Sequence, residues 1–147
     1  MQGSDIRSFT IKDKSGAVHN GEDVFAKHKL VAIYFSAHWC PPCRAFTPKL
    51  AAAYNAIKAS DRKNDVEIVF FSRDKDQTAF EDYYKDHPWL TYELNQLNYD
   101  IWKQTYQISG IPTLVVLDST GKVKSLDATV DLEGDDVPAD FFDRYLN

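Results

Sequence analysis

Leu30-Val31-Ala32-Ile33-Tyr34-Phe35-Ser36-Ala37-His38-Trp39-Cys40-Pro41-Pro42-Cys43-Arg44-Ala45-Phe46-Thr47-Pro48 changes its hydrophobic period within a few residues. Leu30 to Phe35 is a continuous apolar run rich in β-formers, the pattern of a strand covered on both faces in the middle of a sheet. From Pro41 onward Phe46, Leu50, Tyr54 and Ile57 recur three or four apart through an Ala-rich segment, which predicts an amphipathic helix ending near Ser60. Cys40 and Cys43 therefore sit at a sharp strand-to-helix junction.

A thiol does redox work as a thiolate, and a helix start favours one through its unpaired N–H groups and the positive end of its dipole. The spacing predicts Cys40 as a nucleophile with a lowered pKa that attacks a substrate disulfide, and Cys43 as the resolving thiol that releases reduced substrate. Pro41 and Pro42 fix φ near the helical value and lack N–H donors that would be orphans there, so they stiffen the junction. Two other readings of such a pair are half of a zinc site and two buried thiols that happen to be close. Zinc needs two more ligands; no further cysteine exists, and His19, His28, His38 and His87 show no paired spacing.

Working outward, Ser8 to Ile11 reads as a short strand, Asp13-Lys14-Ser15-Gly16 as a turn, and Ala17 to His19 as the returning arm of an edge hairpin. Val66 to Phe71 reads as a second buried strand. A helix carrying Phe80, Tyr83 and Tyr84 should end before Pro88, and Ile101, Trp102 and Tyr106 mark a shorter one. Thr113 to Leu117 reads as a third apolar strand. Asp118-Ser119-Thr120-Gly121 turns the chain so that Val123 to Leu126 returns antiparallel, and Pro138 opens a closing helix with Phe141, Phe142, Tyr145 and Leu146. The expectation is an α/β sandwich with a central mixed sheet flanked by helices and an N-terminal β-hairpin. With no repeat or linker, residues 1–147 are expected to form a single domain.

The balance of 17 Lys+Arg against 22 Asp+Glu gives a net charge of −5, which disfavours nucleic acid and anionic membranes as partners. Met1 to Asp5 contains no apolar stretch of signal-peptide length, and a single Cys-x-x-Cys pair fits a reducing compartment, so the expected location is cytoplasmic. There is no Gly-rich phosphate loop, zinc-protease helix or nucleophile elbow. No cofactor and no metal are expected. Pro48 lies inside the helical pattern and should kink it. Trp89, Trp102 and the Phe141-Phe142 pair read as core, and Asp131, Glu133, Asp135 and Asp136 as a solvated loop.

The stretch from Tyr34 to Pro48 resembles the active site of tryparedoxins and nucleoredoxins, a branch of the thioredoxin superfamily. His87-Pro88-Trp89-Leu90 and Ser109-Gly110-Ile111-Pro112-Thr113-Leu114 resemble two further stretches of that branch. The resemblance implies a thioredoxin-like sandwich in which Pro112 is a cis-proline facing the cysteines, in a loop whose backbone pairs with an extended substrate. It implies that Trp39, Pro41, Pro42, Ile111 and Pro112 bind substrate, with Trp39 as an exposed platform. Tyr34 stands where ordinary thioredoxins carry a buried aspartate, as it does in this branch. Arg73-Asp74 replaces the tryparedoxin Trp-Asp, and Ser125-Leu126-Asp127 lies where tryparedoxins place an arginine.

The implied activity is an enzyme that reduces protein disulfides by dithiol exchange. Its electrons would come from an upstream reductase or a low-molecular-weight dithiol, and a peroxidase is among the implied acceptors. The alternative is a redox-gated protein-binding module resembling a nucleoredoxin domain. Arg44 is placed to favour a Cys40 thiolate electrostatically, with a solvated helix cation as the rival reading. His38 is close enough in sequence to tune Cys40, but a ring with the ordinary histidine pKa of about 6.5 is mostly neutral at pH 7, so the reading without a tuning role is preferred for it.

Overall fold

A computed structural model describes residues 5–131 and 141–146. Its centre is set by two strands, β3 (Leu30–Ser36) and β4 (Val66–Ser72), every residue of which is buried. They pair parallel, in register from Leu30 opposite Val66 to Ser36 opposite Ser72. Strand β6 (Thr113–Asp118) lies antiparallel on the other side of β3. The hairpin β1 (Ile11–Lys12) and β2 (Val18–His19), the short β5 (Leu90–Tyr92) and β7 (Val123–Ser125) complete a mixed sheet in the order β2-β1-β5-β4-β3-β6-β7.

Alternation of side chains sorts the core into two layers. Leu30, Ala32 and Tyr34 of β3, with Ile68, Phe70, Leu114 and Val116, face α2 (Pro41–Lys58) and α3 (Gln77–Tyr84). Phe141, Phe142 and Tyr145, before and within α5 (Asp143–Leu146), join that layer. Val31, Ile33 and Phe35, with Phe71, Val115 and Leu117, face α1 (Gly21–Ala26) and α4 (Gln96–Thr105) through Phe25, Tyr99 and Trp102. Burial on both faces accounts for the apolar runs Leu30 to Phe35, Ile68 to Phe71 and Leu114 to Leu117 in the three long strands.

The sequence expectations hold for these long elements and fail at short ones. The expected strand from Ser8 begins only at Ile11, because Ile6–Ser8 is a 3-10 turn whose cap, Asp5, accepts the Arg7 N–H at 2.9 Å. Helix α1 was not expected: with two large apolar residues in six it shows no full period, and its signals are the Asn20 cap, which accepts from the Glu22 N–H at 2.8 Å, and the acidic first turn. Strand β5 was also missed, since three residues after Pro88 carry no alternation to read. Pro138 and the side chains of Asp131, Glu133, Asp135 and Asp136 lie outside the described residues. Trp89 and Trp102 are core residues, as expected.

His87 is an unusual core member, 2% exposed and ringed by Phe70, Tyr83 and Trp89. Its Nδ1 accepts from Trp89 Nε1 at 3.1 Å, so a neutral ring carries its proton on Nε2, which has no hydrogen-bond partner among the described residues. Burial, with smaller contributions from Lys14 and His38, lowers its pKa from 6.5 to about 3. The unfolded chain therefore binds a proton in the interval from about 6.5 down to about 3 while the native chain does not, so stability is complete above the interval and is lost as pH falls through it. Urea unfolding should show roughly 2–3 kcal/mol of pH-dependent loss between about pH 7 and about pH 4.5 that disappears in His87→Phe when the two proteins are compared at each pH.

Candidate active site

The junction between β3 and α2 accounts for every N–H group that a helix start leaves unpaired. Cys40 is the N-cap, and its own N–H donates to the Ala37 carbonyl at 3.2 Å. Pro41 and Pro42 occupy the first two helical positions and have no N–H to satisfy. The Cys43 N–H donates to Cys40 Sγ at 3.2 Å, and the Arg44 N–H to the Cys40 carbonyl at 3.0 Å. Cys40 and Cys43 form a disulfide with Cα atoms 5.2 Å apart. An anion on Cys40 Sγ would occupy the same capping position, which the helix end favours. Helix α2 continues through Pro48 to Lys58.

The structure brings several of the residues singled out in the sequence to this junction. The Ile111-Pro112 peptide is cis, Ile111 packs against the cysteines, and its carbonyl oxygen lies 3.8 Å from Cys40 Sγ. Trp39 is 52% exposed beside Cys40, and its indole N–H reaches the Arg73 carbonyl at 3.4 Å. Pro41 and Pro42 are exposed, whereas Cys40 is 5% exposed and Cys43 is fully buried. Arg44 is exposed on α2. His38 lies flat against Tyr83, ring centroids 5.4 Å apart, which makes it a packed part of the wall.

Asp74 was not expected as part of the site. It is fully buried after β4, where its carboxylate accepts the His38 N–H at 2.8 Å and the Ser72 hydroxyl at 2.7 Å. It thereby ties the loop carrying Trp39 and Cys40 to the end of β4. A signal existed: β3 and β4 are parallel, so residues just after each strand emerge at the same edge of the sheet. Arg73 beside it donates to Gln96 Oε1 at 2.6 Å and covers the Tyr99 ring. The Gln96 amide donates back to the Asp74 carbonyl. Among the described residues no group of three or more His, Cys, Asp and Glu side chains is placed to hold a metal ion, and no helix is long and apolar enough to cross a membrane.

Residues 28–123 match the family model described as thioredoxin-like. Probable nucleoredoxin 1 of Arabidopsis thaliana is 43% identical over 100 residues, covering 68% of this chain and 17% of that protein. The bovine nucleoredoxin of Bos taurus is 39% identical over 107 residues, 72% of this chain and 24% of its own length, so the chain spans a quarter or less of these relatives. Tryparedoxin of Trypanosoma brucei brucei is 41% identical over 112 residues, 75% of this chain and 74% of that protein. Among solved structures, thioredoxin from Wuchereria bancrofti superposes with a TM-score of 0.77 at 34% identity, covering 96% of each chain.

Removing the Asp74 carboxylate leaves a buried N–H and a buried hydroxyl without their acceptor. Asp74→Ala should cost about 3 kcal/mol in chemical denaturation, and Asp74→Asn, which keeps an acceptor oxygen, about half of that or less.

Proposed function

The chain belongs to the thioredoxin-like family of oxidoreductases, and from that membership we propose that it reduces protein disulfides by dithiol exchange through Cys40 and Cys43. The observation that carries the reading is the disulfide itself, set so that Cys40 Sγ caps a helix while the ring of Trp39 and the carbonyl of Ile111 stand next to it. In the reduced state Cys40 thiolate attacks a substrate disulfide, joining to one sulfur as the other leaves with the electron pair. Cys43 then attacks Cys40 Sγ, the mixed disulfide breaks, and the substrate leaves as a dithiol while the protein keeps the disulfide.

Trp39, Pro41, Pro42, Ile111 and Pro112 form the surface that a substrate meets. Ile111 supplies a backbone carbonyl at 3.8 Å from the reacting sulfur, an acceptor for the N–H of an extended segment. Trp39 supplies apolar area with a polar edge. The preferred substrates are protein disulfides, a peroxidase among them, and the oxidised pair is returned to dithiol by an upstream reductase or a small dithiol. Residues 1–147 act as a single thioredoxin-like domain in the cytoplasm.

The test is turbidimetric insulin reduction with dithiothreitol. Wild type should accelerate precipitation severalfold, Cys40→Ser should return it to background, and Cys43→Ser should accumulate a covalent adduct visible on non-reducing gels. No acceleration over background would sink the reductase reading. A Cys43→Ser variant that holds its partner without a covalent bond would point to a redox-gated binding module instead.

A further inference from the structure

Resolution makes a demand on the interior. Cys43 is fully buried, so when its sulfur attacks Cys40 the thiol proton has no direct route to water. What lies behind it is a run of hydroxyls joining β3, α2 and α3. Ser36 Oγ and Tyr83 Oη are 2.8 Å apart, Tyr83 Oη and Thr47 Oγ1 2.7 Å, and Thr47 Oγ1 and Tyr34 Oη 2.8 Å. Thr47 also donates to the Cys43 carbonyl at 2.9 Å, and Tyr34 reaches the same oxygen at 3.4 Å. Thr47 lies four positions after Cys43, so the two side chains share a face of α2. At its far end the run opens outward: Thr47 and Tyr83 line a groove of about 560 Å³ between α2 and α3, bordered by His38, Arg44, Pro48 and His87.

We propose that the Thr47 and Tyr83 hydroxyls, braced by Tyr34 and Ser36, form a proton conduit from the resolving thiol Cys43 to this groove. The inference rests on the exchange reaction proposed above. Thr47 turns its hydroxyl proton from the Cys43 carbonyl, which Tyr34 still reaches, toward Tyr83. Cys43 gives its proton to the Thr47 oxygen as Thr47 passes its own to Tyr83, and Tyr83 passes one to water in the groove. The electron pair left on Cys43 sulfur forms the bond to Cys40 sulfur. The bond between Cys40 and the substrate breaks, its electron pair leaves on the substrate sulfur, and that sulfur takes a proton from solvent.

Hydroxyls suit this task because each both donates and accepts, and the spacings among Ser36, Tyr83, Thr47 and Tyr34 are those of direct transfer from one hydroxyl to the next. Burial pushes the Tyr34 phenol well above its ordinary pKa, so it braces the run as a neutral group. The ionisable groups facing the run are His38, stacked on Tyr83 and held by Asp74 through its N–H, and His87, 4.4 Å from the Tyr83 ring. Arg44, Asp82 and Asp86 stand on the groove walls.

The reduced full-length chain, mixed rapidly with dithionitrobenzoate, should release coloured thiolate in two phases: attack by Cys40, then resolution by Cys43. Tyr83→Phe keeps the ring and deletes the middle hydroxyl, Thr47→Val deletes the one nearest Cys43, and Thr47→Ser retains it. The expected result is a second phase slowed at least about tenfold at about pH 6 in Tyr83→Phe and Thr47→Val. The difference should close by about pH 9, where a thiol ionises into solvent-derived base without help. Thr47→Ser should follow wild type, and the first phase should keep its rate. A second-phase pH profile that superimposes on wild type in both deletion variants overturns the conduit, as does equal slowing of both phases. Absence of the first phase in wild type would overturn the exchange reaction, and the conduit with it.

Discussion

One sulfur atom satisfies two demands at the junction of β3 and α2. As the N-cap acceptor, Cys40 Sγ takes the only N–H of the first helical turn that the two prolines leave without an intrahelical partner. As half of the disulfide, it is also the atom to which the proposed exchange assigns the attack on substrate. Helix capping and thiolate stabilisation are the same electrostatic interaction here, an anion or lone pair facing the positive end of a helix. The geometry is enforced from behind, because β3 is hydrogen-bonded on both edges and covered on both faces, so its last residue cannot shift without disturbing the sheet.

Sheet topology then decides which other residues meet the sulfur. Parallel pairing brings the end of β4 beside the end of β3, with Ser36 opposite Ser72, and the Arg73 N–H donates to the Ser36 carbonyl at 2.9 Å. Antiparallel pairing brings the beginning of β6 to the same edge, with Thr113 opposite Phe35. The loop after β4 contributes the Asp74 tether, and the loop before β6 contributes the Ile111 carbonyl. The site is the place where three strand ends converge.

Beneath it, the interior handles polarity with neutral groups. Ser36, Tyr34, Thr47 and Tyr83 satisfy one another, so no bare charge sits directly against Cys43 through them. A satisfied hydroxyl network avoids the desolvation penalty of an ion while keeping protons available. The same layer tolerates His87 only as an uncharged ring, which makes acid the condition under which this core is weakest.

Local pattern alone made the long elements legible: Leu30 to Phe35, Val66 to Phe71 and Thr113 to Leu117 as buried strands, and Phe46, Leu50, Tyr54 and Ile57 as one helix face. Each is long enough for its period to exceed noise, whereas Gly21–Ala26 and Leu90–Tyr92 are not. The Cys40-Pro41-Pro42-Cys43 run was readable because its chemistry depends on neighbours three positions away. Asp74, 34 residues beyond Cys40, and Tyr83, 36 beyond Thr47, carried no such local mark. By itself the sequence determined which two cysteines meet at a helix start and on what scaffold, since periodicity and helix-start chemistry act over one or two turns. Only the tertiary structure decided what surrounds them, because strand pairing, not sequence distance, sets which carboxylate, carbonyl and hydroxyls reach the sulfurs.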